Sequence, residues 1–163
     1  ALDMSNPDAW EYSLLNELIS DVIPNIDWLC ANERELYKLA KNKNEKEIQN
    51  SEIEKYMTPE RPLEYSHRLL NKGVKMINLH YGARGTMLIT SESYAHQEPT
   101  IVKRYVNPTG CGNLQNAGAI YCLLNNKTLD YTASFANAMA VLRLTGTNFP
   151  TLNEIQRLMK NEI

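Results

Sequence analysis

The sequence Asn-Pro-Thr-Gly-Cys-Gly-Asn at residues 107–113 follows a predicted strand and precedes a predicted helix. We call these residues the glycine loop, because Gly110 and Gly112 stand one residue apart within it. Glycine has no Cβ atom, so such a loop can adopt unusual backbone angles and lets a ligand approach the main chain closely. The helix expected to begin near Asn113 directs its first N–H groups and the positive end of its dipole toward the same place. The stretch therefore predicts an anion-binding loop in an α/β fold.

Segments with strand-like and helix-like patterns alternate along the chain. Short apolar runs predict strands at 1–5, 26–31, 74–80, 86–90 and 101–106. Amphipathic patterns predict helices around 10–22, 32–39, 63–73, 113–125, 129–144 and 152–161, and a polar surface insertion with a short helix is expected at 41–62. Two of the strands flank the turn at 81–85 and predict an antiparallel hairpin. The alternation predicts a sheet covered by helices, with ligands beyond the carboxyl ends of its strands.

The length and composition favour one domain over residues 1–163. Of the 163 residues, 43% are hydrophobic, which is enough for one core and short for two domains. The 17 Lys and Arg residues and the 19 Asp and Glu residues are mixed along the chain and leave a formal net charge of -2. Because nucleic acids and anionic membrane surfaces attract basic patches, neither is expected as a partner.

Cysteine use and hydropathy favour a cytoplasmic protein. The three cysteines, Cys30, Cys111 and Cys122, have no CxxC spacing, which fits neither a disulfide framework nor a zinc site. No apolar run approaches the ~20 residues of a membrane helix, and the N-terminus lacks a signal-peptide pattern. The chain starts without Met inside a strand-like segment, which is compatible with a fragment boundary.

The glycine loop by itself is open to two interpretations. A Gly-x-Gly turn between a strand and a helix also occurs as a tight turn without a ligand. Its spacing differs from the P-loop pattern GxxxxGKS or GxxxxGKT and from the dinucleotide-binding pattern GxGxxG. Three histidines, His67, His80 and His96, have no partner at metal-ligand spacing and are expected to be ordinary surface or core residues.

Further short motifs accompany the loop. They read DMSNP at 3–7, NERE at 32–35, YGARG at 81–85, NLQNAGAIYCLL at 113–124, SFANAMAVL at 134–142 and NFPTLNEI at 148–155. As an ordered set with the loop, they resemble the C-terminal half of the ribokinase-like (PfkB-type) carbohydrate and nucleoside kinases. The resemblance implies a three-layer α/β/α sandwich, with a mostly parallel sheet and an antiparallel hairpin in this portion. It implies a nucleotide site on this half and assigns much of the sugar site and the lid to an N-terminal half that is absent here.

The resemblance assigns roles to the glycine loop, because the family signature is Asp-Thr-Xaa-Gly-Ala-Gly-Asp. The amides of Gly110, Cys111 and Gly112 would form the anion hole around the transferring phosphoryl group. Thr109 would donate to a phosphate or merely close the turn. The closing Asp of the signature deprotonates the acceptor hydroxyl, and Asn113 stands in its place. An amide cannot accept a proton at neutral pH, and loss of a general base costs ~10²–10⁴ in rate, so we expect impaired or absent catalysis.

Two further segments correspond to nucleotide-binding parts of the family. Gly82, Ala83 and Gly85 match a GxxG turn beside the nucleotide, and Asn137 falls where a late helix approaches the base. A plain hairpin turn explains the glycines as well, and a helix-packing amide explains Asn137. Cys111 also has two interpretations, a reactive thiol at a helix N-terminus or a small residue that fills space.

Asn32 and Glu35 match the family's Asn-x-x-Glu element, which is linked to the magnesium and phosphate environment. A carboxylate that acts through water suits Mg²⁺, which keeps several of its waters. An N-cap followed by first-turn acids explains the same residues without a metal. ATP and Mg²⁺ are the cofactors that the resemblance implies.

The leading hypothesis is an ATP-dependent sugar kinase homologue whose phosphoryl transfer to a sugar hydroxyl is impaired because Asn113 replaces the base. A nucleoside is the alternative acceptor. The alternative from another class is a non-catalytic protein that uses the fold for nucleotide binding or protein interaction. A truncated sheet leaves an edge and an apolar face uncovered, so a homo-oligomer or association with another chain is a further expectation.

Overall fold

The computed structural model describes residues 2–3, 12–57, 60–102 and 105–160. Its helices are α1 (Tyr12–Glu17), α2 (Glu33–Ala40), α3 (Asn50–Tyr56), α4 (Arg61–Leu70), α5 (Cys111–Leu124), α6 (Leu129–Leu144) and α7 (Leu152–Met159). Its strands are β1 (Leu2–Asp3), β2 (Trp28–Asn32), β3 (Met76–His80), β4 (Thr86–Thr90) and β5 (Tyr94–Gln97). None of the helices in this described part of the chain has the length and apolar character that crossing a bilayer requires.

The chain divides into two compact units. The first comprises Ala1–Leu79 together with Ile89–Ser93, and the second comprises His80–Leu88 together with Tyr94–Ile163. The single domain expected over residues 1–163 stays a prediction.

The first unit is built on β1, β2 and β3, which are successive neighbours in the strand order. β1 runs parallel to β2, with Leu2 opposite Leu29. Three consecutive side chains of β2, at 29–31, are buried, as expected for a strand that is covered on both faces. The strand predicted at 1–5 is confirmed for β1, and its other residues lie outside the described ones.

Helices of the first unit follow the predicted pattern with one change. The helix predicted at 10–22 is α-helical only in α1 and continues as a π-helical segment at Leu18–Val22, and residues 10–11 lie outside the described ones. α2 and α4 confirm the helices predicted at 32–39 and 63–73. α3 is the short helix expected in the polar insertion at 41–62.

In the second unit, α5 and α6 pack closely because small residues lie between them. A Cβ atom at Gly118 would lie 2.7 Å from Sδ of Met139 and 3.3 Å from Cα of Ala136. The core beside this contact consists of Cys122, Phe135, Ala138, Leu142 and Ile155, the last from α7. This packing sets the position of the first turn of α5 and of the last turn of α6.

Two predictions near the glycine loop are corrected. The strand predicted at 101–106 is wrong for the described residues 101–102 and 105–106, which form no strand. The backbone amides of Val106 and Asn107 donate to the carbonyl of Leu144, at 2.7 and 3.4 Å, so the chain here bonds to the end of α6 instead of a neighbouring strand. The strand β5, which the sequence analysis missed, comes earlier. Helix α5 begins at Cys111, two residues before the predicted start near Asn113.

A partly buried ion pair attaches the connection after α2 to helix α4. The guanidinium of Arg68 donates to both carboxylate oxygens of Glu45, at 2.9 and 2.7 Å, and the hydroxyl of Tyr65 donates to Glu45 at 3.2 Å. The hydrogen bonds from Arg68 are the main cause that lowers the pKa of Glu45 to about 2. The same carboxylate raises the pKa of Arg68 above its ordinary value.

We expect the substitution Glu45→Gln to lower the free energy of unfolding by ~1–3 kcal/mol at neutral pH, because it removes charge-assisted hydrogen bonds. The carboxylate has a lower pKa in the folded than in the unfolded state. Its stabilisation is therefore complete above the ordinary pKa of 4.5 and is lost as the pH falls toward about 2. Urea unfolding of wild type and variant at a series of pH values should show that the difference between their free energies of unfolding shrinks over that range.

The matched control is Glu54→Gln, because Glu54 forms an exposed ion pair with Arg34 and should contribute less than ~1 kcal/mol. If the difference in free energy of unfolding between wild type and Glu45→Gln stayed constant as the solution was acidified, the role given to the Glu45 carboxylate would be contradicted.

Candidate functional site

A cavity of about 470 Å³ lies within the second unit. Four segments line it: the end of β3 with the turn after it, residues 99–102, the glycine loop with the start of α5, and the last two turns of α6. Among these described lining residues, none is Asp, Glu, Lys or Arg, and the walls are mainly apolar with a few amide and hydroxyl groups. Such a lining suits a neutral, flat or partly polar group better than a fully charged one.

The turn between β3 and β4 presents its backbone to the cavity. Gly85 has a φ of +93° and a Cβ atom there would lie 2.0 Å from the carbonyl oxygen of Gln97, so only glycine fits. The amide of Tyr81 donates to the carbonyl of Gly85 at 3.0 Å. The guanidinium of Arg84 lies 4.1 Å from the centre of the Tyr81 ring. These contacts brace the turn, and Gly82, Ala83 and Gly85 contribute to the cavity wall.

The glycine loop enters α5 through a left-handed residue. Gly110 is the N-cap of α5, with a φ of 85° and a ψ of 1°, a conformation that L side chains rarely adopt. The amide of Thr109 donates to Oδ1 of Asn107 at 2.9 Å, and the amide of Cys111 donates to the carbonyl of Pro108 at 3.2 Å. One of the three predicted anion donors, Cys111, is thus already engaged in a turn, and a bound anion would compete with that bond.

His80 packs directly against Gly112 at the first turn of α5. A Cβ atom on Gly112 would lie 2.9 Å from both Nδ1 and Cε1 of the ring, so a larger residue would require the His80 ring to shift. Nε2 of His80 donates to Oδ1 of Asn116 at 2.7 Å. The sequence predicts an ordinary surface or core residue at His80, and the structure places it in the cavity lining. Its position as the last residue of β3, at the carboxyl end of a strand, is the signal that was available.

Asn113 is the third residue of α5, and its side chain is exposed. It does not belong to the cavity lining, and neither do Thr109 and Gly110, although all three lie in the loop and first turn that border it. The role predicted for Asn113 as the residue in the place of the base stays a prediction.

The environment of Cys111 favours packing over reactivity. Its side chain is partly buried, and burial raises the pKa of the thiol, while the positive charge of Arg143 acts in the opposite direction. A thiol with a raised pKa carries little thiolate at neutral pH, and the thiolate is the nucleophile.

Asn137 and Ser134 of α6 each bond to a residue near the end of β5 or just after it. Its side chain is buried, and Nδ2 donates to Oγ1 of Thr100 at 3.1 Å. One turn earlier, Oγ of Ser134 donates to Oε1 of Gln97 at 2.5 Å. These bonds attach the end of β5 and the residues just after it to α6. Asn137 therefore fixes Thr100, which lines the cavity, and also lines the cavity itself.

Asn32 and Glu35 lie in the first unit and form the N-terminal cap of α2. Oδ1 of Asn32 accepts from the amides of Arg34 and Glu35 at 2.9 and 3.0 Å, and Oε2 of Glu35 accepts from the amide of Asn32 at 2.7 Å. The interpretation of Asn32 and Glu35 as a helix cap is therefore confirmed. Among the residues that the structure describes, no group of three or more His, Cys, Asp and Glu side chains is arranged to hold a metal ion. The donor set fits Mg²⁺ only through water, and this metal role stays a prediction.

The structure brings one subset of the predicted site residues together around one cavity and leaves the others elsewhere. Those in the lining are Gly82, Ala83, Gly85, Cys111, Gly112 and Asn137. Gln115 and Thr100 also line it and were missed by the sequence analysis. Glycines whose positions exclude a Cβ atom, together with an apolar wall that carries amides, fit a nucleotide.

Solved structures similar to this chain have the ribokinase-like fold. An Escherichia coli protein assigned as a ribokinase II, solved with ATP and Mg²⁺, is 22% identical with a TM-score of 0.71, over 90% of this chain and 43% of that one. Arabidopsis thaliana ribokinase, solved with ribose and ATP, is 21% identical with a TM-score of 0.68, over 86% of this chain and 43% of that one. Burkholderia thailandensis nucleoside kinase, solved with inosine, is 16% identical with a TM-score of 0.63, over 94% of this chain and 45% of that one.

At these identities, the likeness shows the fold, which confirms the predicted α/β class. The chain spans about half the length of the solved structures that it matches, for example 44% and 53% of two others. A comparison with curated protein sequences gives no match. The model of the pfkB family of carbohydrate kinases matches residues 3–154, and the chain therefore belongs to that family.

Proposed function

We propose that this chain is an ATP-dependent sugar kinase homologue that binds nucleotide in the cavity of its second unit, with phosphoryl transfer impaired by Asn113. The observation that carries the proposal is the lining of that cavity. Two predicted nucleotide-contacting segments, at 82–85 and at Asn137, share it with Cys111 and Gly112 of the glycine loop. Membership of the pfkB family supports the same conclusion.

The cavity suits the base and ribose of a nucleotide. Its volume of about 470 Å³ lies within the ~300–1,000 Å³ of typical small-molecule sites. Val141 and Leu144 supply apolar surface for stacking, and the amides of Asn137 and Gln115 supply donors and acceptors for polar edges. The phosphates would extend toward Gly112 and the first turn of α5, where backbone N–H groups and the helix dipole favour negative charge.

Phosphoryl transfer needs little covalent chemistry from the protein. The charge that spreads over the transferring group is stabilised by fixed donors, and backbone N–H groups serve this purpose. Mg²⁺, held by nucleotide phosphates and water, would neutralise part of that charge. The missing part is proton removal, because the amide of Asn113 cannot accept a proton from the acceptor hydroxyl.

We propose a sugar as the acceptor, in keeping with the description of the family as carbohydrate kinases. A nucleoside is the alternative, since one similar structure is a nucleoside kinase with inosine bound. Measuring phosphoryl transfer from ATP to ribose, to fructose and to adenosine separates the two acceptor classes.

A non-catalytic role is the second candidate, and Asn113 is the specific residue that favours it. Such a protein would bind ATP in the same cavity and show no transfer to any acceptor. If it bound no nucleotide, only a role in protein interaction, as a homo-oligomer or with another chain, would remain.

We expect purified protein to bind ATP with Mg²⁺, and the substitution Ala140→Phe to weaken that binding ~5–150-fold, because overfilling a packed site costs ~1–3 kcal/mol. Ala140 lines the cavity from α6. Calorimetric titration measures both affinities. Ala117→Phe is the matched control, since Ala117 is exposed on α5 outside the lining and its replacement should leave the affinity unchanged. Absence of ATP binding by wild type would contradict the nucleotide site, and equal binding by Ala140→Phe would contradict its location.

We expect the substitution Asn113→Asp to raise the rate of phosphoryl transfer by ~10²–10⁴, because it restores a proton acceptor at the signature position. A coupled ADP-release assay with each acceptor measures the rate. Asn153→Asp is the matched control, because it adds the same charge to the exposed first turn of another helix, α7. It should leave the rate of phosphoryl transfer unchanged. No gain with Asn113→Asp, while ATP affinity is retained, would argue for the non-catalytic role.

A further inference from the structure

The end of helix α6 holds the glycine loop through side-chain and backbone contacts. The carbonyl of Leu144 accepts from the amides of Val106 and Asn107, and Nε of Arg143 donates to the carbonyl of Thr109 at 3.0 Å. The residues of the loop are thus anchored just before the left-handed Gly110.

The bond from Arg143 determines where an amide points. In a trans peptide, the carbonyl oxygen and the N–H group lie on opposite sides of the plane. The carbonyl of Thr109 faces Arg143, so the N–H of Gly110 in the same peptide faces away from it. Gly110 is one of the predicted anion-hole donors, and its direction is therefore set by a side chain that lies 34 residues away in sequence.

The guanidinium of Arg143 is itself held in place. Its Nη1 donates to Oδ1 of Asn148 at 2.7 Å while Nε is bonded to Thr109. Nε would lie 3.4 Å from a Cβ atom on Gly110, so the positive charge is adjacent to the loop. The same charge opposes the rise in the pKa of the Cys111 thiol that burial causes.

We propose that Arg143 is a positioning residue of the glycine loop, which holds the Thr109 carbonyl so that the Gly110 N–H is oriented toward the phosphates of the nucleotide. This inference rests on the function proposed above, since it assigns a residue to the same site. Asn137 lines the cavity, whereas Arg143 does not. Arg143 would therefore act on the affinity for phosphate and not on the affinity for the base.

A simpler role makes a different prediction. Arg143 lies in the last turn of α6, where any cation complements the helix dipole. If that were its whole function, lysine would replace it fully and only stability would change. Lysine keeps the charge but lacks the planar fork that bonds Thr109 and Asn148 at once, so the positioning role predicts a defect in Arg143→Lys.

The test is calorimetric titration of ATP and of adenosine into wild type, Arg143→Met and Arg143→Lys. We expect Arg143→Met to weaken ATP binding ~10–100-fold, because a charge-assisted hydrogen bond and a charge are lost. Adenosine binding should change less than ~2-fold, and Arg143→Lys should fall between wild type and Arg143→Met. Arg157→Met is the matched control, because Arg157 is an exposed residue in the last turn of α7 and should leave both affinities unchanged.

Three outcomes overturn the inference. The first is an unchanged ATP affinity in Arg143→Met. The second is a wild-type ATP affinity in Arg143→Lys. The third is an equal loss of ATP and adenosine binding, which would indicate a general structural defect. Failure of wild type to bind either ligand would instead overturn the proposed function.

A second measurement decides the loop geometry without any nucleotide. In NMR spectra, the carbonyl carbon of Thr109 and the amide of Gly110 should shift in Arg143→Met and Arg143→Lys, and stay in place in Arg157→Met. Unshifted resonances in both Arg143 variants would show that Arg143 does not hold this peptide and would overturn the inference whatever ligand binds.

Discussion

The hydrogen bonds between the loop amides and the carbonyl of Leu144 determine the path of the chain into the candidate site. The last carbonyls of a helix have no partner within the helix and must be satisfied from outside. Here the amides of Val106 and Asn107 satisfy one of them. Because this bond attaches the loop to α6, Pro108 and Cys111 reach the same cavity as Leu144. A chain paired into a sheet at 105–107 would enter α5 from a different direction.

The helices were predictable because their signals are local. The capping boxes at Asn32 and Thr151 each involve residues three positions apart, and both are present. The error at 101–106 has the opposite origin, since an apolar run reports burial or β-propensity but not the hydrogen-bond partner. Ile101 is in fact 94% exposed, which no period-2 pattern could reveal. β5 was missed because its four residues include exposed Tyr94 and no clear alternation.

The site divides in the same way into local and distant parts. Gly82, Gly85 and the glycine loop carry their own conformational signal, and the motifs that surround them could be compared with a family. The contacts of His80 and Arg143 have no local signal, because each depends on a partner more than thirty positions away, Asn116 and Thr109 respectively. A sequence pattern of fixed spacing cannot contain contacts that only the packing of α5 and α6 creates.

On the proposed function, nucleotide binding and phosphoryl transfer depend on different atoms of the glycine loop. An anion is held by backbone N–H groups, whose positions depend on Gly110, Gly112 and their supports and not on the side chain that follows. Proton removal depends on the side chain alone. If Asn113 holds the position of the base, as proposed, a carboxylate there would place a negative charge near the phosphates, and Coulomb repulsion would weaken their binding. Asparagine carries no such charge. On the proposed function, binding of a nucleotide with little phosphoryl transfer is therefore chemically consistent with asparagine at position 113.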